Sequence, residues 1–298
     1  MNPTGVSIIP YTPAHYRGVL QFSAQQLRTH HHLDWRQINE WLRDEYHHTM
    51  LAFRHQTLIG VLSVSPPHNG TAWLRLVALH DQAPASLFRD LLQTTLAHCA
   101  TSGIYEIAVL EMEFWLQVLL ESSGFRAFDQ IVHLIREPAP IEYTPPRDFK
   151  IRMVRRHDLR IVETIDHAAF PPLWQMSLTD LEECSTYAVS FTMAVVEKHV
   201  VAYQLSTSYS DGIHLARLAT WPSAQKRGLG KRLVQHLIAQ FPHHSITVNT
   251  QSSNLAARRI YENLGFVTQK MPTPVWHLLL QSPVSPLPQF EADSQSEF

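Results

Sequence analysis

Two hydrophobic periods alternate along the second half of this chain. Residues 192–196 and 200–207 are apolar runs separated by Glu197-Lys198, which reads as a β-hairpin. Residues 213–219 form a further apolar strand that ends at the breaker Trp221-Pro222. From Leu229 the period changes. Leu229, Leu233, Val234, Leu237 and Ile238 recur on one face at helical spacing, so a helix opens there. Residues 246–248 read as another strand. In the segment after it, Ala257 and Tyr261 lie four apart on one helical face. Asn254 is placed to cap that helix, and Gly265 is a left-handed stop. Residues 158–169 and 178–184 also look helical.

The same order recurs upstream. Gly124-Phe125 and Gly265-Phe266 stand 141 residues apart, and each pair precedes an apolar strand with one histidine, His133 or His277. The segments beginning at Thr57 and His199, and the opening strands 6–9 and 149–154, match at nearly the same offset. This predicts two copies of one fold, 1–137 and 149–280, with helices on both faces of a mixed sheet. Proline-rich residues 138–148 make a semi-rigid connector. The Pro-, Ser- and acid-rich tail, 281–298, is expected to be disordered.

Composition narrows the partners. With 45% hydrophobic and 17% charged residues in 298, the chain can bury two ordinary cores. A net charge of −2 gives no bulk attraction to nucleic acid. Cys99 and Cys184 make neither a disulfide framework nor a metal spacing. No apolar run approaches a membrane span, and the N-terminus lacks a basic-then-apolar signal, so the expectation is a cytoplasmic protein. The 19 histidines include the run His30-His31-His32, but no metal-ligand spacing. This run and the pairs His47-His48 and His243-His244 read as solvated loop residues.

The chemistry concentrates where the strand 213–219 meets the helix at Leu229. Gln225-Lys226-Arg227-Gly228-Leu229-Gly230-Lys231 carries two glycines that let a ligand approach without meeting a Cβ. A helix N-terminus adds free N–H donors and a positive dipole end, and Lys226, Arg227, Lys231 and Arg232 add charge. The stretch is a phosphate cradle. It is not a P-loop, because Gln225 and Arg232 occupy positions that need Gly and Ser or Thr. Nor is it a dinucleotide fingerprint, because Leu233 stands where a third small residue belongs.

The spelling Q-x-x-G-x-G over 225–230, followed by N-x-x-A-x-x-[LI]-Y-x-x-x-G-F over 254–266, resembles the GNAT-type N-acetyltransferases across residues 149–280. The resemblance implies an α/β fold of two tandem GNAT-like domains, each with a mixed, mostly antiparallel central sheet between helices. It implies acetyl-CoA as co-substrate, no metal, and direct attack by a small-molecule or peptide amine. Residues 225–231 would hold the pyrophosphate, the exposed backbone of Leu218, Ala219 and Thr220 the pantetheine arm, and Asn254 a further part of the cofactor. Tyr261 matches the family's acid for the leaving thiolate. The family's frequent glutamate base has no counterpart in 213–220, where His214 and Arg217 are the long polar side chains. A base or a water chain must take the amine proton. His214, with an ordinary histidine range of about 6–7, is the candidate base, Glu197 in the hairpin turn is a poorer one, and the choice stays open.

The first copy lacks these groups. Ala83, Ser86, Phe88, Glu113 and Leu120 fall on Gln225, Gly228, Gly230, Asn254 and Tyr261, so this copy is expected not to take acetyl-CoA. Residues 170–174 wall an acceptor pocket or pack between the copies. The acceptor is not legible, and two other functions fit: acyl-CoA sensing without transfer, or transfer of a bulkier acyl group.

Overall fold

Glu197 and Lys198 both take left-handed φ, 46° and 71°, in the computed structural model. A two-residue turn of this kind matches the twist of its flanking strands, so the hairpin closes where the apolar runs place it. The structure describes residues 5–32, 37–43, 48–209, 212–269 and 271–280, so the expectation for the tail lies outside the described residues.

The first half runs β1 (Val6–Pro10), α1 (Tyr16–Gln25), β2 (Arg28–His31), α2 (Ile38–Trp41), β3 (His48–Arg54), β4 (Thr57–Val64), β5 (Thr71–Leu79), α3 (Ala85–Cys99), β6 (Glu106–Leu110), α4 (Phe114–Ser122) and β7 (Arg126–Arg136). The second runs β8 (Lys150–Met153), α5 (Leu159–Ala169), α6 (Leu178–Tyr187), β9 (Ala188–Val196), β10 (His199–Tyr209), β11 (Gly212–Thr220), α7 (Leu229–Gln240), β12 (Ile246–Gln251), α8 (Leu255–Glu262), β13 (Val267–Thr268) and β14 (Thr273–Leu279). Among the described residues no helix is long and apolar enough to cross a membrane.

One mixed sheet spans both halves, in the order β1-β3-β4-β5-β6-β14-β7-β12-β11-β10-β9-β8, with β2 beside β5 and β13 beside β7. Among the described residues only β5–β6 and β11–β12 pair in parallel. Alternation along the strands feeds a separate core on each face. Leu215 and Val248 meet α7 and α8 through Val234, Leu237 and Tyr261, whereas Met193, Tyr203 and Leu205 meet α5 and α6 through Val162, Ile165 and Leu181.

The two halves share their closing strands. β14 lies between β6 and β7, with Val275 opposite Leu110 on one side and Asp129 on the other. β7 then passes into the second half, where Ile131 to Arg136 pair with Gln251 to Ile246 of β12. Leu134 and Ile135 also pair with Thr268 and Val267 of β13. Each half thus covers the backbone edge that the other would leave open.

Candidate active site

β11 and β12 pair only from Ile213 and Ile246 to Leu215 and Val248. The register of β11 on β10 then slips, from Ser206–Leu215 to Leu205–Arg217, which makes Ala216 a bulge. Beyond it β12 continues along β7, while β11 from Arg217 to Thr220 keeps only β10 as a strand neighbour among the described residues. Leu218, Ala219 and Thr220 therefore border an opening in the sheet, where backbone groups facing away from β10 can meet a ligand.

The strand leads into the glycine loop. Gly228 has φ 78° and precedes α7, a conformation that favours glycine. Lys226 is also left-handed, at 62°. The amide of Gln225 donates to the Thr220 carbonyl at 3.3 Å, tying the loop to the end of the strand. Arg232 N–H donates to the Gly228 carbonyl at 3.0 Å, so the N–H groups of Leu229, Gly230 and Lys231 stand ahead of the intrahelical ladder. The exposed Lys226, Arg227 and Lys231 have no ion-pair partner among the described residues. Gly230 is different. A Cβ there would lie 3.6–3.7 Å from Leu218, Ile260 and Thr220, ordinary contact distances. The protein's own packing thus does not require glycine at 230, although an alanine would favour the helix by about 1 kcal/mol.

Those three neighbours bring the open strand, the loop and α8 together. Asn254 caps α8, its side-chain oxygen accepting from Ala257 N–H at 3.1 Å. Tyr261, 4% exposed, packs its ring 5.6 Å from that of Phe266. Burial pushes the phenol's pKa up, which keeps it protonated. Its hydroxyl has no hydrogen-bond partner among the described residues and is not sealed from solvent. Gly265, at φ 84°, ends the turn after the helix.

His214 sits in the paired part of β11, one residue from Leu215 and so on the opposite face. Its Nδ1 lies 2.9 Å from the Thr247 hydroxyl. Burial, helped by the nearby His133, lowers its pKa to about 4. The expected range of about 6–7 gives way, because the sheet removes water from the ring.

A buried carboxylate was missing from the sequence reading. Asp166, fully buried on α5, accepts from Arg217 Nε and Nη2 at 2.6 and 2.8 Å, from the Tyr203 hydroxyl at 2.5 Å and from Met176 N–H at 2.8 Å. Arg217 also donates to the Trp174 carbonyl and lies 3.7 Å over the Phe170 ring. The signal was present: Asp166 stands on the apolar face of its helix with Leu159 and Val162. Trp174 meets Trp73 of the first half at 5.2 Å, so this end of the segment 170–174 packs between the copies, while Phe170 packs within the second half.

The corresponding opening in the first half is filled. β5 and β6 pair only from Thr71 to Trp73, and β2 then lies along β5, Arg28 opposite Leu79 through His31 opposite Leu76. Phe88 and Leu120 are fully buried. Glu113 meets Nδ1 of the buried His30 at 2.6 Å. The run His30-His31-His32 is therefore not a solvated loop, since backbone pairing with β5 draws its first two residues into the sheet. His243 and His244 are exposed as expected, His48 is instead half-buried at the start of β3, and His47 lies outside the described residues. No cluster of His, Cys, Asp or Glu suited to a metal occurs among the described residues.

Residues 159–266 match the acetyltransferase (GNAT) family model. The second half of the chain belongs to that family. Members of that family use an acyl-CoA co-substrate and an amine acceptor. The chain is 32% identical over 73 residues to the ribosomal protein bS18-alanine N-acetyltransferase of Salmonella typhimurium. That match takes in 24% of the chain and 49% of the relative, so the chain spans about half the relative's length. The whole fold is similar to a GCN5-related N-acetyltransferase from Sphaerobacter thermophilus, with a TM-score of 0.61, 14% identity, and 94% and 97% of the two chains covered. A tandem GNAT protein from the clavulanic acid biosynthesis pathway gives 0.60 at 10% identity, with 92% and 98% covered. The GNAT fold is thus present twice.

Proposed function

We propose that the second half, residues 149–280, transfers an acetyl group from acetyl-CoA to a primary amine. One observation carries this reading: the open edge of β11, the N-terminus of α7 and the Tyr261 helix converge on Gly230, a glycine that internal packing does not require. The pyrophosphate rests on the N–H groups and cations of residues 225–231. The pantetheine amides bond to the backbone of Leu218, Ala219 and Thr220. Asn254 uses its oxygen to cap α8 and keeps its NH₂ group for the cofactor.

The amine nitrogen attacks the thioester carbon, and the C–S bond breaks as the carbonyl re-forms. Tyr261 donates its proton to the departing thiolate, and the phenol recovers one from the amine through His214 or water. His214 is neutral at pH 7 and can accept a hydrogen bond, but at about 4 it is a weak base for an ammonium ion. That weakness favours a second reading, acyl-CoA binding without transfer. A panel of acyl-CoA donors against mixed amines, read as free CoA thiol and acylated product, separates them. Tight donor binding with no amine-dependent thiol release would overturn the first.

A further inference from the structure

The helix that carries Tyr261 stands on a strand from the other half of the chain. Val132 and Leu134 of β7 pack in one core with Tyr261, Leu264 and Phe266. At one end of this seat the Asp129 carboxylate accepts from the hydroxyls of Ser252 and Ser253 at 3.0 and 2.7 Å, immediately before α8. Ser252 N–H also donates to the Gln130 carbonyl at 2.7 Å. At the other end Arg136, 6% exposed, donates from Nε to the Leu264 carbonyl at 2.9 Å, just past α8. Its Nη1 and Nη2 donate to the carbonyls of Glu137 and Ala139, at 3.3 and 2.8 Å.

We propose that Asp129 and Arg136 are positioning residues, through which the first half fixes where the Tyr261 hydroxyl stands in the second half's site. The inference rests on the reading of Tyr261 as proton donor. The two spans match to within about one helical turn. Seven residue steps of strand lead from Asp129 to Arg136, about 23 Å. The helix with its flanking turns, 252–264, covers about 18 Å.

Apolar contact alone seats a helix loosely along its axis, because dispersion and hydrophobic burial have little direction. Hydrogen bonds to charged groups at both ends are directional and fix the axial position. Arg136 adds a second effect, a buried cation at the negative end of the helix dipole. Its acceptors among the described residues are three carbonyls, Leu264 just past α8, Glu137 at the end of the first half and Ala139 in the connector, so it also couples that connector to the helix. A proton donor must stand within hydrogen-bond reach of its sulfur, and a displacement of about 1 Å can cost about 10²-fold in rate.

The test uses the full chain with Arg136→Lys, which keeps the charge but loses the fork, and Asp129→Asn, which keeps one acceptor oxygen. Each is made alone and with Tyr261→Phe. Expected are faster amide exchange confined to 252–264, acetyl-CoA affinity within about twofold, and kcat for thiol release lowered about tenfold or more. On the Tyr261→Phe background the same changes should lower kcat no further. Equal falls on both backgrounds, or unchanged exchange of α8, would overturn the proposal. If Tyr261→Phe alone leaves kcat intact, the proton-donor reading fails and takes the catalytic half of this inference with it. The exchange measurement then still decides whether Asp129 and Arg136 hold the helix.

Discussion

Arg217 on β11 grips Asp166 on α5 through two hydrogen bonds of 2.6 and 2.8 Å. The pair ties three things together: the helix α5, the segment that packs between the halves, and the strand whose edge opens at the next residue. Burial opposes the arginine's charge, and Asp166 and Tyr203 outweigh it, so its pKa rises. Asp166→Ala leaves a buried cation without its partner and should destabilise the fold by about 3–5 kcal/mol. Urea denaturation measures it. A loss under about 1 kcal/mol would mean that solvent or a relaxed loop replaces the carboxylate.

Acetyl-CoA should bind once per chain. β2 lies in the first half's opening and Phe88 is fully buried where a cradle glycine would stand. Calorimetry on the whole chain should give one site. Gly230→Phe should remove it, while Gly230→Ala should fold normally, since its Cβ meets only ordinary contacts of 3.6–3.7 Å. Two equivalent sites would show that β2 moves aside.

Tyr261→Phe should lower kcat by about 10²–10⁴-fold and leave acetyl-CoA affinity nearly unchanged. The hydroxyl acts on a thiolate that exists only as the bond breaks, so its loss belongs to the transition state. Steady-state rates with the best amine of the panel, beside donor binding, measure both. An unchanged kcat with chemistry rate-limiting removes the phenol from the mechanism.

His214 makes stability depend on pH. Its pKa falls from 6.5 to about 4 on folding, so between these values the unfolded chain binds more protons. Its contribution is complete above 6.5 and is lost as pH falls toward 4. Against His214→Gln, the natural chain should lose about 1–3 kcal/mol more between pH 7 and 4.5, by urea denaturation. Equal losses would place the ring in water. In catalysis, a limb at about 6–7 that survives His214→Gln would belong to the acceptor.

Features set by nearby residues were legible in the sequence. The glycine loop, the helix from Leu229, the cap at Asn254, the stop at Gly265 and the turn at Glu197-Lys198 each depend on backbone freedom or periodicity within a few residues. Chain order does not decide which strand lies beside which. The alternation in β7 and β14 suits a place in either half, because a period of two specifies a buried face and not a neighbour. Long-range pairing therefore decided that the halves exchange closing strands, that β2 fills one opening while β11 leaves the other free, and that α8 rests on Asp129 and Arg136. It also half-buried His214 against the sheet and drew Asp166 to Arg217. A side chain's pKa and partners depend on what the fold packs against it, and those residues are far away in the chain.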